Sequence, residues 1–482
     1  MVVRTRSESV STPVNIPLRY AVYSPEGHRR QSMIAAVFAG VVFFLALMPI
    51  VVTDYDGSAP TASEYKTRAG FDHGGYHLPV IRAFEAQLPT PDLHDYASAT
   101  TPGYHLLMAV VARVVSDDAR VLRGMSALIG AVFVGVMVYA LAVGGVMRGA
   151  RYGVTRAMPL AFSVYVVSSA GWLLPDNAAW LLVLVIMMIA LMARLRICAL
   201  VGAGAALVGL VLVRQVHIWA AAPIWFAWWL GERDVSDAAR AAWIPSREDP
   251  LSRKAMRTGV AVLATLPAIG LIAWFVMVWD GMTPPSFSTR LSGPNFVVPA
   301  TVLSVLAVFG VFFVGDWLPA GWAALRERMG ARITLVVSAA VGLVAGVAPE
   351  SSYRFEDRIS HIWNVVKRLP TVGERSPVIV LGSIAGAVMA GMIFNALGRR
   401  DRWVMLSVLG AFVASQTSGA LAWPRYYEPL VLMWVALACA RIESFVPDRK
   451  EFAPVRWAYA VRTPLVVVLA VLQVVVTVVS LR

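Results

Sequence analysis

The chain has 482 residues, 58% of them hydrophobic and 15% charged, with a formal net charge of +13. Soluble globular domains carry about 25% charged residues, and with a mean hydropathy of +0.67 the composition excludes a soluble domain carrying an anchor and describes one integral membrane unit. The positive balance does not point to nucleic acid: basic residues that fix the topology of a multi-pass protein give the same sum, and no Lys/Arg patch is interleaved with stacking aromatics.

The first 33 residues are polar, contain Pro, Ser and Arg, and lack a cleavable signal pattern. They read as a cytosolic segment ahead of a retained helix at Ile34–Val52. From there to residue 482, apolar runs long enough to cross ~30 Å of hydrocarbon recur. They predict a single all-α transmembrane domain, 34–482, with about thirteen spans, at 34–53, 122–143, 157–173, 177–193, 197–213, 218–230, 258–279, 297–315, 333–348, 378–397, 404–422, 429–440 and 463–480. The stretch 103–115 does not count as a span. It is short, and Leu107, Val110, Val111 and Val114 recur at helical spacing with His105 and Arg113 off that stripe, as in a helix lying in the interface. A second interfacial helix is expected at 77–88, with Leu78, Ile81, Phe84 and Leu88 on one face. Both belong to the longest connection, 54–121, which also holds Asp54, Asp56, Glu64, Asp72, Glu85, Asp92 and Asp95. No internal or inverted repeat is visible.

Charge sets the orientation. With Arg29 and Arg30 in the cytosol, the inner loops hold Arg148, Arg151, Arg156, Arg194, Arg196, Arg233 through Arg257, Arg326, Arg328, Arg332, Arg399, Arg400, Arg402, Arg449, Lys450 and Arg456. The outer loops are poor in Arg and Lys, as the positive-inside rule asks. The discordant outer loop is 350–376, where Arg354, Arg358, Lys367, Arg368 and Arg375 are mixed with Glu350, Glu356, Asp357 and Glu374. Cys198 and Cys439 each lie near a basic helix end, and no disulfide framework is supported.

The outer loops carry most of the residues capable of chemistry. Phe71-Asp72-His73-Gly74-Gly75-Tyr76-His77 opens an interfacial helix, and its two glycines permit a tight backbone. Asp72 could serve there as a general base or as an ordinary helix N-cap. His73 and His77, at i and i+4, could share a metal with Asp72. Thr100-Thr101-Pro102 reads as an N-cap and first turn. Asp176, in the short turn Leu174-Pro175-Asp176-Asn177, would cap the next span or act in a site. Arg214, in Arg214-Gln215-Val216-His217, is placed to hold a phosphate by bidentate contacts or to anchor at the interface by snorkelling. Arg425, in Trp423-Pro424-Arg425-Tyr426-Tyr427-Glu428, suits a lipid-linked phosphate at the headgroup level, or pairs with Glu428 across a helical turn. The Pro/Gly-rich loop 280–296, with Arg290 and Asn295, reads as a lid or a connector.

In this order the segments resemble the GT-C glycosyltransferases, membrane enzymes that take sugars from polyprenyl-phosphate donors, and most of all the Alg10-type alpha-1,2-glucosyltransferase family. An acidic motif running into His-Leu-Pro after the first span is matched by Asp72 to Pro79, and a Thr-Thr-Pro turn by Thr100 to Pro102. A Leu-Arg start to the next span is matched by Leu122-Arg123. An Arg-Gln motif before an Ile-Trp-rich span is matched by Arg214-Gln215 and Ile218-Trp219, and a late Arg-Tyr-Tyr by Arg425 to Tyr427. The family pairs Asp with Glu directly before its aromatic-His; here that place is His73-Gly74, with Asp72 one residue earlier, so Asp54 and Asp56 stand as alternatives for the base.

The resemblance implies a GT-C-like helical bundle and an inverting hexosyltransferase working on the non-cytosolic face. It would move a sugar, glucose by this likeness, from a polyprenyl-phosphate donor to a lipid-linked or cell-envelope glycan acceptor. It implies Asp72 as catalytic base, Arg214 and Arg425 on the donor phosphate, and His73, His77, Asp176, Gln215, His217, Tyr426 and Tyr427 as further site candidates. No cofactor is fixed by it, and a divalent metal stays open. The partners implied are the donor, the acceptor and membrane lipids, with no nucleic acid. The Ala/Val/Arg-rich wording suggests a bacterial cytoplasmic membrane, or the endoplasmic reticulum if the chain is eukaryotic. The rivals are a mannosyl- or arabinosyltransferase of the same fold and a lipid or solute transporter; spans almost free of ionisable residues count against an ion-driven carrier.

Overall fold

Lipid offers the backbone no hydrogen-bond partners, so a chain of apolar runs satisfies its amides within helices. In a computed structural model, which describes residues 25–52, 68–144, 149–192, 195–231, 250–287, 293–354, 357–442 and 453–481, every regular element is helical apart from an isolated bridge between Val372 and Arg375. Along the chain come α1 (Pro25–Val51), α2 (Arg68–Asp72), a π-helical turn (His73–His77), α3 (Leu78–Gln87), α4 (Gly103–Val114) and α5 (Ala119–Val143). Next are α6 (Gly149–Ala161), α7 (Val164–Gly171), α8 (Asp176–Ala190), α9 (Ile197–Val213), a 3-10 turn (Gln215–Ala220), α10 (Ala221–Leu230) and α11 (Leu251–Trp279). Then follow α12 (Val298–Gly310), α13 (Val314–Glu327), α14 (Met329–Val347), α15 (Ile362–Val366), α16 (Pro377–Ala396) and α17 (Arg399–Thr417). A 3-10 turn (Pro424–Tyr426), α18 (Glu428–Arg441) and α19 (Arg456–Leu481) complete it.

Seven of these are long and apolar enough to cross a membrane: α1, α5, α11, α12 with α13, α14, α16 and α19, or eight if α7 and α8, bent by 119° at their junction, form one broken span. The other segments read as spans fall on helices that are shorter, broken or charged at one end. Of these, α18 is buried without interruption from Glu428 to Ala440, whereas α9, α10 and α17 keep exposed apolar residues such as Ile197, Val201, Phe226 and Trp403. The lipid-facing role falls to the rim, where Phe38 of α1, Met277 of α11, Val336 of α14 and Val479 of α19 stand exposed.

Small residues let the helices approach. A Cβ on Gly40 of α1 would stand 2.9 Å from the Ala131 carbonyl oxygen of α5, and one on Gly135 would stand 3.0 Å from that of Ala36. The two glycines interlock reciprocally, the small-residue packing that membrane helices favour. α6 and α7 run back along α5: Gly153 lies against Val138 and Ala142, while Ser126 Oγ donates to the Ser169 carbonyl at 3.1 Å. The path breaks at Ser163, whose Oγ accepts the Tyr165 N–H at 3.3 Å and caps α7.

The bundle has two chemically distinct ends. At one, Arg400 donates to the Gly231 and Ala190 carbonyls, both at 2.8 Å, closing α10 and α8. Arg441 pairs with Asp401 at 2.9 Å and donates to the Gly144 carbonyl at 2.8 Å. These cations sit where helix dipoles end negative, so arginines expected only to set topology also terminate helices. The mixed loop 350–376 uses its arginines on itself. Arg358 donates to the carbonyls of Ser352 and Glu350, Arg375 to that of Val347, and Arg354 pairs with Glu350.

Candidate functional site at the first-loop end of the bundle

Helix α3 buries Leu78, Val80, Ile81 and Phe84, three of which lie on the face expected from the sequence, and Leu88 packs against the same cluster. α4 spans the expected stretch, but most of its apolar stripe points away from the protein. Leu107, Val110 and Val114 are exposed, and the face with Tyr104, His105 and Met108 is buried. Val111 of the expected stripe is buried with Ala109 and Ala112, so α4 is largely apolar on both faces, one turned outward and one packed against protein.

Four elements distant in sequence converge beside this pair. Asp72 ends α2, Asp176 begins α8, Arg214 follows α9 and Arg425 lies in the 3-10 turn before α18. Arg425 donates Nη1 to Asp72 Oδ2 and Nη2 to Asp176 Oδ2, the latter at 3.0 Å. Arg214 donates Nη1 to the other Asp176 oxygen, Oδ1. The carboxylates and guanidiniums thus alternate in one chain of ion pairs. Tyr426 lies beside both cations, with its ring centre 5.2 Å from the Arg214 Cζ and 6.0 Å from that of Arg425. The four side chains are 7–18% exposed, so the network is desolvated yet reachable.

Several local expectations give way here. Asp72 and Asp176 do not act as side-chain caps: the residue before α8 is Pro175, with no capping bond, and both carboxylates serve guanidiniums. Arg425 does not pair with Glu428, whose Oε1 accepts instead from Ser163 and Gln473. Thr101 does not cap α4; its Oγ1 donates to the Val211 carbonyl at 2.6 Å. A charged partner in a low-dielectric pocket outcompetes a neutral amide for a carboxylate.

The remaining candidates support the network from behind. Gln215 accepts the Thr101 N–H at 3.1 Å and donates to the Ala99 and Met282 carbonyls, each at 2.9 Å, so it staples two connecting loops to the end of α9. His77 Nδ1 meets His105 Nε2 at 2.9 Å, and burial, with Arg425 adding to it, lowers the His77 pKa to about 3. His73 is buried 5.6 Å from the Trp172 ring, and burial followed by the Arg123 charge holds its pKa at about 3. These imidazoles are neutral, and among the described residues no three His, Cys, Asp or Glu side chains gather as a metal-holding group. His217 accepts from the Trp219 indole at 3.1 Å and stands edge-on to Trp180. Tyr427 is buried and donates to the Leu421 carbonyl at 3.0 Å. Asp54, Asp56 and Arg290 lie outside the described residues. The described part of loop 280–296 reaches the site: Phe287 meets Tyr76 edge-on at 5.4 Å, and Ser286 binds the Asp95 carboxylate through N–H and Oγ at 3.0 and 2.7 Å.

Sequence reasoning left two groups without a role in the site. His105 was legible only as a polar residue off an apolar stripe, and Arg123 only as the start of a span. Arg123 is fully buried, donating to the Ala119 and Ile50 carbonyls with its guanidinium 5.4 Å from the Trp172 ring centre. In its geometry the site can hold an oxyanion on Arg214 and Arg425 beside an ionised carboxylate. Compared with family models, curated proteins and solved structures, the chain matches none of them.

Proposed function

We propose that the protein is a polyprenyl-phosphate-sugar-dependent glycosyltransferase of GT-C type, with glucose the favoured sugar and its site on the non-cytosolic face of a bundle of about thirteen spans. The observation that carries this reading is the chain of ion pairs Asp72–Arg425–Asp176–Arg214, two acids and two bases drawn from four elements at one end of the helices. A donor phosphate diester carries one negative charge. It takes unused N–H groups of Arg214 and Arg425, each guanidinium having five, and loosens the hold of Arg425 on Asp72.

The chemistry then needs one proton acceptor and one anion site. Asp72 takes the proton of an acceptor hydroxyl as that oxygen attacks the anomeric carbon from the side opposite the phosphate. The bond from the anomeric carbon to the phosphate oxygen breaks, its electron pair leaves with the polyprenyl phosphate, and the new glycosidic bond has inverted configuration. The leaving group gains a second negative charge, which the two guanidiniums stabilise more strongly than the diester. Neutral His77 and His73 add no competing cation.

The test is transfer of radiolabelled sugar from polyprenyl-phosphate glucose, mannose or arabinose by the full chain in proteoliposomes. Glycosylated product with glucose supports the reading, and product with another sugar reassigns the donor within the class. Solute uptake without any glycosylated product from the three donors would replace the enzyme with a carrier.

A further inference from the structure

Glu428 lies three residues past Arg425, and the chemistry above gives it no task. It is 1% exposed and accepts from Ser163 Oγ at 2.6 Å and Gln473 Nε2 at 3.1 Å. Its other oxygen, Oε2, faces Nδ1 of His361 at 3.7 Å. His361 arrives from the loop 350–376, immediately before α15, and its side chain is 28% exposed. Its ring lies 5.0 Å from that of Tyr165, whose hydroxyl bonds Ser360 Oγ at 2.7 Å. Glu428 opens α18 directly after the 3-10 turn that holds Arg425, so this cluster and the ion-pair network meet at the same helix start.

The backbone here is unusual. Ser360 has φ 80° and His361 φ 37°, two successive non-glycine residues in the left-handed half of conformational space, which L side chains rarely adopt. The surroundings hold them there. Trp363 is fully buried and donates its indole N–H to the Ala422 carbonyl at 2.6 Å, and the Ala422 N–H donates to the Asp357 carbonyl at 2.8 Å. The loop that presents His361 is therefore stitched to the segment leading into Arg425. Strain kept in place beside a site is a mark of a side chain positioned for use.

The ring's chemistry narrows the use. Burial lowers the His361 pKa to about 4, so the imidazole is neutral. Glu428 Oε2 stands 3.7 Å from Nδ1, and a neutral ring that keeps its proton on that side leaves Nε2 a lone-pair acceptor. The lone pair of a neutral imidazole offers a phosphate oxygen no donor and accepts a hydroxyl hydrogen. Just after Ala422, the rings of Trp423 and Tyr426 lie parallel, 7° and 5.9 Å apart, and the Trp423 indole N–H has no hydrogen-bond partner among the described residues.

Resting on the transferase reading, we propose that His361, oriented by Glu428 and Tyr165, is an acceptor-binding residue that receives a hydroxyl of a glycan-type acceptor on Nε2, with the donor phosphate held on the Arg214 side. Saturation-transfer NMR on the full chain in nanodiscs, with maltotriose, mannotriose and arabinotriose as probes, tests it. At least one probe binds saturably to the wild type. His361→Phe, which keeps the ring against Tyr165, weakens that binding about tenfold, and His361→Gln restores much of it through its amide oxygen. Equal binding by the wild type and His361→Phe, or no saturable binding of any probe, overturns the proposal. If His361→Phe lowers the thermal midpoint, Glu428→Gln decides: weakened binding supports the assignment and unchanged binding overturns it. Transfer from the three polyprenyl-phosphate sugars is assayed separately. Binding lost in His361→Phe while the wild type transfers nothing keeps the glycan site and removes the transferase, and transfer with binding unchanged does the reverse.

Discussion

Arg425 donates Nη2 to Asp176 Oδ2 at 3.0 Å across 249 residues of chain. That one bond joins the turn before α18 to the start of α8, and because Asp176 also holds Arg214 while Arg425 also holds Asp72, it closes the network. Each of the two carboxylates thereby stands against a guanidinium in a largely buried setting.

Replacing Asp72 by Asn removes the proton acceptor and leaves an amide of the same size. The expected loss is about 10²–10⁴-fold in the rate of sugar transfer, with donor binding retained and the thermal midpoint little changed. Transfer kinetics with radiolabelled donor and a melting curve in detergent check both halves, and normal turnover by Asp72→Asn would remove the base role.

Asp176→Ala should be the structurally costly variant. It leaves Arg214 and Arg425 facing each other in a pocket where the Asp176 side chain is 7% exposed. Removing one partner of a largely buried pair costs on the order of 3 kcal/mol. The double variant Asp176→Ala with Arg214→Ala should recover part of that, so the melting midpoints of the two single variants and the double form a cycle. Additive effects would show that the pair is uncoupled.

Gln215→Ala should loosen two connecting loops together. Its three hydrogen bonds tie Thr101, Ala99 and Met282 to the end of α9, each contributing about 1 kcal/mol. Hydrogen exchange followed by mass spectrometry should speed up over 99–104 and 280–287 and stay unchanged in α16. Exchange confined to one of the two loops would deny the staple.

Acid should destabilise the first loop through His77 and His105. Burial is the main cause that lowers both pKa values below 6.5, His77 to about 3. A neutral buried histidine binds its proton only after unfolding, so the unfolded state carries more protons between pH 6.5 and about 3. Stability is therefore full above pH 6.5 and falls as pH drops toward 3, by up to about 1.4 kcal/mol per pH unit for each such histidine. Thermal midpoints measured across pH 7 to 4 should decline less steeply in His77→Phe than in the wild type, and parallel curves would contradict the assignment.

The sequence by itself determined the class of molecule, an all-α chain with several helices long and apolar enough to cross a membrane. Apolar run length and the exclusion of charge from lipid are local properties, visible without any partner. Asp176, Arg214 and Arg425 stood out as ionisable side chains in short connections between apolar runs, and Asp72 as the acid of a Gly/His-rich segment in the longest one. Only the tertiary structure decided who pairs with whom. Asp176 left its helix end for two guanidiniums, Arg425 passed over the neighbouring Glu428, and α4 turned its histidine inward and most of its apolar stripe outward. Capping and i,i+3 pairing are local preferences of about 1 kcal/mol or less. Desolvated ion pairs formed by distant segments exceed them, and no spacing along the chain records which segments the packing of helices will bring together.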